Sequence, residues 1–144
     1  MKAAIGIDIG GTNTKFGLIS KEGKVLAEES IPTQTNSDVN GFLENLASGV
    51  KKMIDKNSPV EVAGIGMGAP NGNYYKGTIE YAPNLKWKGV VPMTDLLRKF
   101  FDYPVIKLTN DANAAGIGEM IYGGARGMKD FIMITLGTGL GSGI

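Results

Sequence analysis

Three short stretches of this chain place chemistry-bearing residues at spacings that a bound anion or hydroxyl could use. The first is Asp8-Ile9-Gly10-Gly11-Thr12-Asn13-Thr14. Paired glycines turn tightly and bring backbone N–H groups close to an anion. Thr12 adds a hydroxyl donor, and Asp8 is an acid at a strand end, where Mg2+ or its water could bind. An ordinary hairpin turn also uses Gly-Gly, but the full Asp-x-Gly-Gly-Thr string is more specific and reads as a phosphate contact. The second stretch is Leu136-Gly137-Thr138-Gly139-Leu140-Gly141-Ser142-Gly143. Its alternating glycines remove side chains, so that amides could face a phosphate. A dinucleotide fingerprint fails there, because Ser142 stands where the third glycine belongs, and the P-loop pattern does not occur. A flexible glycine tail is the plain alternative. The third stretch is Thr109-Asn110-Asp111-Ala112-Asn113-Ala114-Ala115. A helix dipole beginning here favours the carboxylate form of Asp111. Such a carboxylate can accept a proton from a hydroxyl. Asn and Asp are also the common helix caps, so the same pair reads equally as structure.

Two loops are weaker candidates, Gly68-Ala69-Pro70-Asn71-Gly72 and Ala82-Pro83-Asn84-Leu85-Lys86-Trp87. Asn amides donate and accept together, which suits sugar hydroxyls. Trp87 could stack on a sugar face, but it reads better as cover for the core.

The elements that must hold these stretches follow from pattern. Ala3–Ile9, Thr14–Ser20 and Val25–Ile31 read as three strands of an antiparallel meander, with Lys21-Glu22-Gly23-Lys24 as a hairpin turn. Ser37 or Asp38 can cap a helix whose apolar stripe runs Val39, Phe42, Leu43, Leu46, Val50, Met53 and Ile54. Val60–Met67 is a strand and Gly68–Gly72 a loop. A short hairpin is expected near Thr78–Tyr81. Thr94 should cap a helix from Asp95 to Phe101. Val105–Leu108 is a strand, and a helix runs from Asn110 to about Tyr122. Asp130–Leu136 is a last strand entering the glycine turn, with no return strand expected. Strands joined by helices after a meander imply an α/β fold, a mixed sheet with helices on both faces.

Composition narrows the chemistry. The chain has 144 residues, 15 Lys and Arg, 14 Asp and Glu, and neither Cys nor His. Zero Cys excludes disulfide scaffolds and thiolate metal sites, and zero His excludes the Ser-His-Asp triad and histidine metal ligands. Near-neutral charge argues against a broad nucleic-acid surface. No apolar run reaches the ~18 residues of a membrane span. The short apolar stretch before Asp8 does not make a signal peptide. A cytoplasmic protein is the expectation.

With these residues in order, the chain resembles the N-terminal part of the ROK family, within the actin-like ATPase superfamily (the ribonuclease H-like fold). The matching elements are Gly6-Ile7-Asp8-Ile9-Gly10-Gly11-Thr12, Pro83-Asn84-Leu85, Leu108 to Ala114, and Leu136 to Gly141. The resemblance implies an ATP- and Mg2+-dependent kinase of a hexose or N-acetylhexosamine. By it, Asp8, Gly10, Gly11 and Thr12 form one phosphate motif, and Gly137, Thr138 and Gly139 a second. Asp111 would be the general base on a sugar hydroxyl, with Asn110 and Asn84 holding neighbouring hydroxyls. Gly68 and Ala69 would line the sugar pocket through their backbone, and Asp8 is the candidate Mg2+ residue. Kinases of the family continue into a second lobe with a Glu-x-Gly-His element and often a zinc site. Without His or Cys, neither can lie here. Residues 1–130 are therefore expected to be the first lobe, with 131–144 opening the second, and the chain is expected to turn over poorly alone. An unpaired strand at Phe131–Leu136 should favour a homo-oligomer. A sugar-sensing transcriptional regulator of the same family is the rival reading, though no basic helical segment precedes the first strand. A filament-forming relative is a third.

Overall fold

The computed structural model describes residues 1–34, 38–136 and 140–143. The meander forms as its alternation dictates. β1 (Lys2–Ile9), β2 (Asn13–Ser20) and β3 (Val25–Pro32) pair antiparallel. On the other side of β1 lie β4 (Glu61–Ala69) and, beyond it, β8 (Ile106–Asn110), both parallel to β1. The sheet order is β3-β2-β1-β4-β8.

One face of this sheet is the core. Ala3, Ile5, Ile7 and Ile9 alternate inward with Phe16, Leu18, Ile65, Met67, Ile106 and Leu108. Helix α1 (Val39–Lys56) sets Phe42, Leu43, Leu46, Ala47, Val50 and Met53 into that face. Burying each large side chain contributes about 1.5–3 kcal/mol. Asp38 caps the helix, accepting from the Gly41 N–H at 2.7 Å. The alternative cap, Ser37, lies outside the described residues. Trp87 is buried against the Phe42 ring, centroids 4.6 Å apart, as core cover.

The opposite face carries a run of glycines. Gly17, Gly6 and Gly66 share one register row across β2, β1 and β4, and Lys107 of β8 completes it. The next row is Lys15, Asp8, Gly68 and Thr109. Helix α3 (Asp111–Tyr122) lies on this side, with the Ala114 methyl against Gly68. The α/β fold with helices on both faces is thus present.

Four boundaries differ from the sequence reading. β4 runs on through Gly68 and Ala69, which pair with Thr109 and Asn110 instead of looping. The parallel neighbour supplies ladder partners that local pattern does not reveal. The expected hairpin near Thr78 is the central strand of a small sheet: β5 (Gly72–Asn73), β6 (Thr78–Glu80) and β7 (Val90–Val91). Helix α2 spans Met93–Leu97 with Pro92 at its N-cap, and Thr94 does not cap it. The Thr94 N–H is taken by the Gly77 carbonyl at 3.0 Å, so the helix starts earlier than its side chains suggest. Finally, β9 (Met133–Leu136) does have a return strand, β10 (Leu140–Gly143), paired antiparallel from Leu140↔Leu136 to Gly143↔Met133. The glycine run supplies the return strand itself, so the C-terminal strand is not unpaired.

Candidate active site

The parallel strands β1, β4 and β8 end side by side, and the chain leaves each end through one of the singled-out stretches. Carboxyl ends of such strands are where open α/β sheets bind ligands. Beyond β1, the Gly10 N–H donates to the Asn13 carbonyl at 3.0 Å and closes the turn. A Cβ on Gly10 would sit 2.7 Å from that same oxygen, so the turn requires glycine. With the Gly10 donor engaged, Gly11 and the exposed Thr12 are the residues of this turn left to face an anion.

Beyond β8, α3 begins at once. The Asn110 side chain caps it, its Oδ1 accepting from the Asn113 N–H at 2.8 Å. Its amide N–H2 remains a donor pair. Asp111 follows in the first turn, exposed, with Oδ1 accepting from the Ala112 N–H at 2.8 Å. The cap reading thus holds for Asn110, and Asp111 is an exposed side chain in the first turn of the helix. Gly68 seats them. A Cβ there would lie 3.2 Å from the Ala114 methyl and 3.4 Å from the Asp111 Cα, so glycine lets α3 start this close to β4 without displacing it by a few tenths of an ångström. Ala69 turns its methyl into the core and offers only backbone.

Asp8 and Asp111 face each other electrostatically. Burial first, then the Asp111 charge, push the Asp8 carboxyl above its ordinary range, and Lys15 beside it pulls the other way. Two acids held in one field is the setting a cation relieves. Among the described residues no three His, Cys, Asp or Glu side chains converge on one point. Asp8 and Asp111 are carboxylates that could help hold a divalent cation only with further oxygens from a bound ligand.

Asn84 is exposed, and its backbone lies against the first turn: a Cβ on Gly11 would sit 3.0 Å from the Asn84 carbonyl oxygen. Gln34 joins the two, donating to the Gly11 carbonyl and, at 2.8 Å, to the Asn84 carbonyl. No motif or periodicity marks Gln34 in the sequence. Gly137, Thr138 and Gly139 lie outside the described residues.

A cleft of about 1230 Å³ opens along the glycine-rich face and includes Asp8, Gly68, Thr109 and Asn113 in its lining, but not Gly11, Asn84 or Asp111. Two local groupings lie at the strand ends, Gly11 with Asn84 and Gly68 with Asp111, and the charge of Asp111 reaches Asp8.

Comparison with known proteins gives a family match and three similar proteins. The ROK family profile matches residues 4–144. A glucokinase of Streptomyces coelicolor is 37% identical over 145 residues, covering all of this chain and 44% of that protein. A xylose repressor of Caldicellulosiruptor bescii is 35% identical, covering 97% of this chain and 35% of that protein. A solved ROK family glucokinase from Streptomyces griseus, in complex with glucose and AMPPNP, superposes with a TM-score of 0.83 at 34% identity, over 97% of this chain and 43% of that one. The chain thus spans less than half the length of the glucokinases it matches.

Proposed function

This chain belongs to the ROK family, and from that premise we propose that it is the acceptor- and phosphate-binding lobe of an ATP-dependent sugar kinase acting on a hexose or N-acetylhexosamine. The observation that carries this reading is the presented carboxylate of Asp111 at the start of α3, beside Gly68 and in the field of Asp8. Names of similar proteins support it: glucokinases match along the whole chain, and one was solved with glucose and an ATP analogue.

Phosphoryl transfer asks the protein chiefly for positioning and charge stabilisation. In this reading Asp111 accepts the proton of the attacking sugar hydroxyl. The Asn110 amide and Asn84 hold neighbouring hydroxyls, and the backbone of Gly68 and Ala69 forms the floor beneath the sugar. The turn at Gly10, Gly11 and Thr12 meets the donor phosphates, and Gly137, Thr138 and Gly139 meet them from a second side. Asp8 would hold Mg2+ through its water, and the ion when bound supplies neutralisation of phosphate charge.

Residues 1–130 form the first lobe in this account, and 131–144 open a second. Turnover needs that second lobe, so this chain alone phosphorylates poorly. We place the protein in the cytoplasm, with small-molecule partners, no nucleic acid or membrane, and self-association of copies.

The test is sugar-dependent ADP release with Mg2+-ATP across hexoses and N-acetylhexosamines. It is run on this chain and on the longest reading frame that contains it. Turnover by the long form is expected, with Asp111→Ala reducing it by about 10²–10⁴-fold. Robust turnover by the 144 residues alone would overturn the lobe reading. The similarity to a xylose repressor keeps one rival, a sugar sensor. Sugar binding by the long form without any turnover would select it.

A further inference from the structure

Gln34 stands where the phosphate turn and the Asn84 loop meet, and both of its amide hydrogens are engaged there. One goes to the Gly11 carbonyl and the other to the Asn84 carbonyl at 2.8 Å. A side-chain amide offers just two donors, so Gln34 uses its full donor capacity to join two backbones. Among the described residues no backbone N–H···O=C bond joins the two segments, though a Cβ on Gly11 would lie 3.0 Å from the Asn84 carbonyl oxygen.

The base of this side chain is fixed. The neighbouring Thr33 N–H donates to the Thr12 carbonyl at 2.9 Å, and its hydroxyl pairs with the Thr14 hydroxyl at 2.8 Å in a fully buried contact. The Asn84 loop is fixed on its own side, with Ala82, Leu85 and Trp87 all buried in the core. Two anchored segments joined by one doubly donating side chain make a rigid bridge.

We propose that Gln34 is a positioning residue that sets the spacing between the phosphate-binding turn and the sugar-binding loop. The proposal rests on the kinase reading above for its catalytic consequence, because that spacing fixes how far the donor phosphate stands from the acceptor hydroxyl. Misplacement of reacting groups by about 1 Å can cost on the order of 10²-fold in rate. Gln34 touches neither ligand in this account and acts through the two backbones.

The experiment compares Gln34→Ala and Gln34→Glu with the parent in the longest reading frame that contains this chain. Amide hydrogen exchange at Gly10 and Thr33 on one side and Leu85 on the other, whose N–H groups are bonded within the two segments, reads the bridge without reference to activity. Both segments should exchange faster together, by about 5–10-fold in Gln34→Ala, the factor expected of one hydrogen bond's net contribution. Kinetics should show kcat falling about tenfold or more while KM for sugar changes less than threefold, the signature of lost positioning. Gln34→Glu should be worse at neutral pH, since a carboxylate has no hydrogen for either carbonyl. Lower pH should restore at most part of its rate relative to the parent, because a protonated carboxyl has one O–H donor where the amide has two.

Unchanged exchange in either segment overturns the bridge, whatever the kinetics. Faster exchange with unchanged kcat overturns its role in positioning. A parent without sugar-dependent turnover overturns the kinase reading, and the catalytic consequence with it, while exchange still decides the bridge.

Discussion

Asp8 is the residue whose ionisation the fold opposes. Burial and then the Asp111 charge raise its pKa above the ordinary 3.8, outweighing Lys15. The native state keeps that proton to higher pH than the unfolded chain does. Stability from this group is therefore complete below about pH 3.8 and is lost as pH rises through the raised folded value. Asp8→Asn removes the charge and keeps the shape. The variant should melt at a higher temperature than the parent at pH 7, and the two should converge as pH approaches 3.8. Thermal melts across that range check it, and a variant less stable at pH 7 would sink the account. A group that costs stability at neutral pH, at the end of a strand, marks a site more often than a structural position. The same residue was legible in sequence through its Asp-x-Gly-Gly-Thr context. Gln34 was not, because a glutamine that bonds two backbone carbonyls distant in sequence leaves no local pattern.

At the scale of elements, the site depends on how closely α3 starts against β4. Gly68 permits that approach, with the Ala114 methyl and the Asp111 Cα just beyond where a Cβ would sit. Gly68→Val should push the first turn of α3 outward and carry Asp111 with it. Turnover in the long form should fall about 10²-fold, and overpacking should cost roughly 1–3 kcal/mol of stability. A valine variant with parental kcat would show that this contact does not place the carboxylate. The meander and α1 were legible from their apolar periods, and the helix starts from their caps: Asp38, one of the two candidates for α1, and Asn110 for α3 both cap. The ends of β4 and β8 were missed, since Gly68 and Thr109 are strand residues only by virtue of each other. The start of α2 was missed for a like reason, its Thr94 N–H being claimed by Gly77 from another element. The return strand β10 was missed because a run of glycines carries no strand propensity, and only pairing with β9 makes it one.

The whole molecule distributes its apolar surface unevenly. The five-stranded sheet and α1 enclose a continuous core, whereas large apolar side chains stay exposed along α3 and past it. Ile117, Met120, Ile121, Tyr122, Met128, Ile132 and Ile134 are each more than two-fifths exposed. Exposed apolar side chains, where they adjoin, favour association with another surface. β9 is paired with β10 and so is not the unpaired strand expected from the sequence; the exposed side chains of α3 and β9 are the surface on which self-association would rest. The 144-residue chain should therefore self-associate with rising concentration by light scattering. Ile117→Lys combined with Ile134→Lys should return it to monomer without loss of secondary structure, since both side chains already face solvent and neither belongs to the core. Association that survives both substitutions would move the contact elsewhere. A parent that stays monomeric at high concentration would show that this apolar surface does not drive association between copies.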